Sequence, residues 1–304
     1  MSRREIIIGT RKSKLALWQA KTVANELKKI GYDSLILPVK SEGDQNLTQP
    51  IYSFGIQGVF TRTLDAALLN GKIDIAVHSL KDVPTKLASG IIINSVLERG
   101  SPLDVVLFEK KNKLLENGII GTGSLRRRAQ WLNKYPLDKT QPIRGNIQTR
   151  LKKLKSPSLK GIILAKAGLD RLDVKNTSFE TLTWMIPAPS QGAIGIASLE
   201  KNQFTKKILT KINCKKTFYC TKLEREFLKT LEGGCSAPIG ALATIRDEFV
   251  NFKGGIFSLN GKDSALCSHK FSHNQDPAFL GNKIAIELLE KGADKIIKTI
   301  KNKI

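Results

Sequence analysis

The sequence predicts an α/β protein: two similar α/β domains followed by a smaller C-terminal α+β domain. Three observations carry this. Short Ile- and Val-rich runs alternate with amphipathic helical stretches as far as about residue 212. A strand, a Gly-Thr turn and a basic helix start, "IIIGTRKSKLALWQA", return as "IIGTGSLRRRAQWL". Beyond residue 215 the order changes to a helix, three strands and closing helices. The 304 residues, 41% hydrophobic and 25% charged, suffice for several compact cores. The expected boundaries are 1–96 with 193–212 for the first domain, 97–192 for the second and 213–304 for the third.

Each element has its own signal. "REIIIGT" reads as a buried strand ending at Gly9-Thr10. Ala16, Ala20, Val23, Ala24 and Leu27 recur at three- and four-residue spacing, predicting a helix that stops at Gly31. Strand-like "SLILPV" follows, then a polar stretch from Ser41 to Gly58. Phe60, Leu64, Ala67 and Leu68 share one face of a second helix ending near Gly71. "IDIAV" (73–77) is a buried strand running into "HSLKDVPT". The alternation of strands and helices predicts parallel sheets. In the second domain "GIILAKAGLDRL" takes the place of "IDIAVHSLKDVP", and "IPAPSQGAIGIAS" (186–198) crosses back to the first. A helix over 219–231 and strands "ALATI", "FVNFKGGIFSL" and "ALCSHKF" open the third domain.

Composition excludes several classes. No run approaches the ~18 apolar residues of a membrane span. The start, "MSRREIIIGTRKSK", lacks the apolar core and cleavage site of a signal peptide, so a cytoplasmic chain, mature from Met1, is expected. The four cysteines, 214, 220, 235 and 267, form no disulfide framework. None has Cys-x-x-Cys spacing and only His269 and His273 lie near Cys267, so no metal site is expected. The net charge of +23 comes mostly from scattered lysines on solvated faces. Weak, salt-sensitive nucleic-acid binding is expected of such charge. With aromatics at 6% and no recognition motif, specific nucleic-acid binding is not.

In parallel sheets, ligands sit where strand ends feed helix N-termini. Both Gly-Thr turns offer backbone N–H groups, hydroxyls (Ser13; Thr122 and Ser124) and arginines (Arg11; Arg126 and Arg127), a combination suited to phosphate or carboxylate. Arg144, Arg150 and Arg171 recur at loop-like sites, and several converging arginines imply a polyanionic ligand. The alternative is that "LRRRAQ" is a solvated helix face. Lys81 and Asp82 stand together after a buried strand, where an ionised carboxylate could move a proton or stabilise a cation. Asp82 could equally cap the next turn. His78 reads as structural. In "LEGGCSAPIG", Cys235 follows Gly233 and Gly234; of disulfide, metal ligand, nucleophile, covalent tether and small hydrophobe, the last three remain open.

"GTRKSKLALWQA", "GKIDIAVHSLKDVPT", "GTGSLRRRAQ", "RGNIQTRLKKL", "ILAKAGLDRL", "PAPSQGAIGI" and "EREFLKTLEGGCSAPIGALA" occur in order. Over residues 5–245 they resemble the motifs of the porphobilinogen deaminase (hydroxymethylbilane synthase) family, cytoplasmic enzymes of tetrapyrrole and haem biosynthesis. The resemblance implies three domains, the first two related to periplasmic binding proteins and hinged about a cleft. It implies a dipyrromethane cofactor, thioether-linked to Cys235 on a loop made mobile by Gly233 and Gly234. Porphobilinogen would be the substrate: four molecules joined head to tail with loss of ammonia, then released by hydrolysis and passed to the next pathway enzyme. Each ring carries an acetate and a propionate, which gives the arginines a reason. By resemblance Ser79, Lys81, Asp82, Thr122, Ser124, Arg126, Arg127 and Arg144 hold the cofactor, while Arg11, Ser13, Gln19, Arg150 and Arg171 bind substrate. Asp82 is the matching catalytic carboxylate, and a monomer is implied.

The chain departs from the family pattern at Gln57 (commonly lysine), Ser101 (acidic), Gly123 (serine), Ser190 (glycine) and Ala197 (glutamate). Two other readings compete. A solute-binding module would share the cleft but carry no adduct, and a nucleic-acid binder would use the charge alone.

Overall fold

The computed structural model describes residues 4–39, 61–108, 117–156, 158–175, 178–231 and 237–302. The first part of the chain runs β1 (Ile6–Arg11), α1 (Lys14–Lys29), β2 (Ser34–Val39), α2 (Arg62–Leu69), β3 (Ile75–Ser79) and β4 (Ile91–Val96). The second runs β5 (Asp104–Leu107), β6 (Ile119–Gly121), α3 (Leu125–Lys134), β7 (Lys139–Gln141), α4 (Ile147–Leu154), β8 (Gly161–Ala165), α5 (Lys166–Arg171) and β9 (Phe179–Thr181). The chain returns through β10 (Ile194–Leu199) and α6 (Gln203–Ile212). The last part is α7 (Lys215–Thr230), β11 (Ile239–Arg246), β12 (Phe249–Phe257), β13 (Ser264–Ser272), α8 (Pro277–Leu288) and α9 (Asp294–Lys301). Phe60, expected on the second helix, lies outside the described residues.

Two five-stranded sheets share one plan, β2-β1-β3-β10-β4 and β7-β6-β8-β5-β9. The expectation of parallel sheets holds for three strands of each. The fourth, β10 or β5, is antiparallel to both its neighbours. Each arrives directly from the other lobe, so it enters its sheet at the end where the parallel strands finish and runs back along them. Periodicity within a strand carries no information about that direction. The alternation fixes the rest: Ala20, Val23 and Leu27 of α1 pack against Ile6, Ile8, Ile75 and Val77, and the second lobe repeats this with Val105, Leu107, Ile162 and Leu164.

The two crossings, 97–103 and 182–193, are hydrogen-bonded to each other: Leu97 N–H donates to the Ile194 carbonyl at 3.1 Å and Gly100 N–H to that of Gly192 at 3.1 Å. Gly192 has φ +86°, and a Cβ there would stand 2.6 Å from the Gly100 carbonyl oxygen. Only glycine lets the crossings come this close. The third unit is an antiparallel meander, β11-β12-β13, under α7 and α8. Its core centres on Phe227 and Phe252, edge to face at 5.1 Å.

Candidate functional site

In the first lobe, Arg11, Ser13, Gln19, His78, Ser79 and Asp82 line one pocket at the ends of β1 and β3. Ser13 caps α1, accepting from Ala16 N–H at 3.2 Å. Gln19 is buried, and its Nε2 donates to Ser79 Oγ at 2.9 Å. Asp82 ends a tight 3-10 turn from Leu80. The Val83 N–H donates to the Leu80 carbonyl at 3.2 Å, so backbone rather than the Asp82 side chain closes this turn. Burial, and secondly Arg11, push His78 down to about 4; it stays neutral at neutral pH.

In the second lobe the turn between β6 and α3 is built from its own hydroxyls. Thr122 Oγ1 accepts from Ser124 N–H at 3.2 Å, and Ser124 Oγ accepts from Arg127 N–H at 3.4 Å to cap α3. A Cβ at Gly123 would lie 2.6 Å from the Ile143 carbonyl oxygen, which explains why serine does not stand here on this backbone. "LRRR" is not a solvated face: Arg126 and Arg127 are buried, and only Arg128 is exposed. Both buried guanidinium groups close on Asp104 at the start of β5. Arg126 Nη2 donates to Oδ2 at 2.8 Å; Arg127 Nε and Nη2 donate to Oδ1 at 3.0 and 2.8 Å. Arg126 also reaches the Ile186 carbonyl at 2.6 Å and Arg127 that of Ile163 at 3.0 Å. Burial alone would raise the Asp104 pKa, but Arg126 and Arg127 outweigh it and hold the carboxyl at about 2.

Gln191, fully buried in the return crossing, joins the lobes. It accepts from Lys81 Nζ at 3.2 Å and donates to Asp104 Oδ1 at 2.9 Å and the Pro102 carbonyl at 2.7 Å. Burial first, then Arg127, lowers Lys81 to about 8. Arg150 of α4 donates through Nε to the Gly145 carbonyl at 2.8 Å. Burial and Arg127 lower it to about 10, while Asp82, on the opposite lobe, acts the other way. Arg144 is also near Arg150, its pKa lowered by burial. Arg171 lies at the crossing, donating to the Gly192 carbonyl at 2.6 Å and standing 5.5 Å over the Trp18 ring. Cys235, Gly233, Gly234 and Gln57 lie outside the described residues.

Several residues of this network escaped the sequence reading. Asp104 opens an apolar strand, and a lone acid there was the available signal. Gln191, Arg99, Glu224 and Arg225 act through pairings across 34–145 residues, which no local pattern announces. Among the described residues no group of three or more His, Cys, Asp or Glu could hold a metal, and no helix is long and apolar enough to cross a membrane.

A two-lobed α/β protein whose facing strand ends carry more cations than carboxylates has the charge and the cleft to suit small polyanions. Residues 6–207 match the porphobilinogen deaminase "dipyromethane cofactor binding domain" and 218–290 match the family's C-terminal domain. A porphobilinogen deaminase of Listeria monocytogenes is 41% identical over 310 residues, covering 99% of this chain and 99% of its own. One of Carboxydothermus hydrogenoformans is 40% identical, covering 98% of each. The chain belongs to the porphobilinogen deaminase family, a family of enzymes with a dipyrromethane cofactor. Among solved structures, a probable amino-acid transporter binding protein of Bacillus subtilis aligns at TM-score 0.42 and 13% identity, over 69% of this chain and 90% of its own.

The residues present fit that cofactor. Lys81, Arg126 and Arg127 face two carboxylates, Asp82 and Asp104, leaving net positive charge. The Nε of Arg126 is buried with no hydrogen-bond partner among the described residues. A site with surplus cations and an orphaned donor suits a ligand that brings carboxylates.

Proposed function

We propose that this cleft joins porphobilinogen units head to tail on a dipyrromethane primer tethered through Cys235, with Asp82 as the catalytic carboxylate. The carrying observation is that Asp82 ends a closed turn in the Arg11 pocket, near enough to Arg150 of the other lobe to affect its ionisation. The primer, when bound, supplies a nucleophilic ring carbon. Arg11, Arg126, Arg127, Arg144, Arg150 and Arg171 receive the acetate and propionate groups, with Ser13, Gln19, Ser79, Lys81, Thr122 and Ser124 as further donors. An ionised Asp82 offsets the positive charge that develops on the substrate as ammonia leaves. It then accepts the proton released at the ring carbon and returns it at the next step.

The same reading divides the chain at 1–96 with 193–212, 97–192 and 213–304, supported by the exchange of β5 and β10 between sheets. It makes the protein a cytoplasmic monomer that passes its product to the next tetrapyrrole enzyme. Intact mass under denaturing conditions tests the tether: two condensed pyrrole units on the Cys235 peptide are expected. A chain that builds no adduct from added porphobilinogen is instead a solute binder. Asp82→Asn, folded and carrying its primer, is expected to lose about 10²- to 10⁴-fold in turnover. Near-normal turnover removes Asp82 from the chemistry.

A further inference from the structure

We propose that Arg225, on helix α7 of the third unit, is a positioning residue that holds the Asp82 turn against that unit. This rests on the assignment of Asp82 as the catalytic carboxylate. The guanidinium reaches over 141 residues of sequence to the backbone around Asp82: Nη2 donates to the Pro84 carbonyl at 2.6 Å, and Nη1 donates to that of Val83 at 2.9 Å and of Leu80 at 3.5 Å. These carbonyls flank Asp82 on both sides. The planar fork therefore fixes the backbone torsions that aim its carboxylate.

Two further residues make α7 a fixed base for that fork. Glu224, the preceding residue, is fully buried and accepts from Arg99, from Ser190 N–H at 2.6 Å and from Ala243 N–H at 2.7 Å. Phe218, two turns earlier on α7, packs against the apolar cluster that contains Leu80 and Val83 of the turn itself. Helix α7 then ends at Thr230, a few residues before Cys235. One rigid element thus carries the clamp on the carboxylate and leads directly into the stretch bearing the tether. The hydrogen bonds from Arg225 to this turn all go to backbone carbonyls, so it acts on Asp82 through the turn. Its effect is that the third unit cannot move without moving Asp82.

The test uses holoenzyme whose primer is verified by intact mass. Arg225→Gln is expected to lower kcat about 100-fold, the cost of displacing a catalytic group by roughly 1 Å, with KM nearly unchanged. Arg225→Lys, which can still reach one carbonyl, should recover part of the loss. In an Asp82→Glu background, where the carboxylate is already displaced, Arg225→Gln should cost far less than in the native protein. A lowered Tm with native kcat in the folded, primed fraction of both variants would overturn the proposal. So would a loss carried by KM alone, or equal losses in the two backgrounds. If Asp82→Asn is inactive while Arg225→Gln is fully active, only this inference fails. If Asp82→Asn is active, the assignment of Asp82 fails first.

Discussion

The Glu224 carboxylate accepts both terminal nitrogens of Arg99, at 2.6 and 3.1 Å, and is itself wholly buried. With Arg99 Nε on the Gln191 carbonyl at 2.8 Å, this pair ties the first crossing, the return crossing and the third unit together. Glu224→Gln preserves size but leaves the Arg99 charge without its partner. The expected cost is about 3–5 kcal/mol, because a buried charge left unpaired keeps its desolvation penalty. Urea unfolding of the full chain measures it. Wild-type stability would mean that Arg99 finds water or another acceptor.

Ser190 stands at φ +65° with its backbone N–H on Glu224, and its buried hydroxyl has no partner among the described residues. The family pattern has glycine here, the residue that adopts this conformation without a steric penalty. Ser190→Gly is expected to stabilise the protein by about 1 kcal/mol, since left-handed backbone costs an L-residue roughly 1–2 kcal/mol and glycine returns part of that as chain entropy. Ser190→Ala removes the orphaned hydroxyl but keeps the strain, so it should gain less. Equal gains from the two variants would place the cost in the hydroxyl.

What the sequence made legible divides along the same line. Strands, helices and the Gly-Thr turns are local, and Ile6–Arg11 and Lys14–Lys29 follow from spacing; the helix expected over 219–231 is also there, but it starts four residues earlier, at Lys215. Arg126 and Arg127 were recognisable as a pair of charges opening a helix, but not as the grip on Asp104, because that contact crosses 22 and 23 residues into another strand. The antiparallel course of β5 and β10 was hidden for a related reason. Strand direction is set by which lobe the chain arrives from, and the apolar pattern of "DVVL" reads alike both ways.

Arg127→Leu removes three donors at once, those to Asp104 and the Ile163 carbonyl. Asp104 keeps Arg126 but loses its second counter-charge, and about 3 kcal/mol of stability should go with it. Primer assembly or elongation should also fail, visible as apoprotein or stalled adducts by mass spectrometry. A stable, fully active variant with normal adducts would show that neither the carboxylate grip nor the cofactor needs this arginine.

Asp104 and Lys81 are linked through Gln191, and their ionisation should be linked as well. The folded pKa of Asp104 lies near 2, below the roughly 3.9 of an unfolded aspartate, so its contribution to stability is present above about pH 4 and is lost as pH falls toward 2. Asp104→Asn should therefore be less stable at neutral pH and should lack that part of the acid limb. The same substitution acts on Lys81, which Asp104 helps to keep charged against burial and Arg127. Asp82 also supports that charge and Arg126 opposes it. Removing the Asp104 charge must move Lys81 below its present value of about 8, toward neutrality. If the ammonium of Lys81 binds carboxylates, the alkaline limb of kcat/KM should shift to lower pH in Asp104→Asn. Lys81→Arg, which cannot lose its charge in this range, should abolish that limb in both backgrounds. An alkaline limb unmoved by Asp104→Asn would mean that some other group titrates there, and that Lys81 acts by position alone.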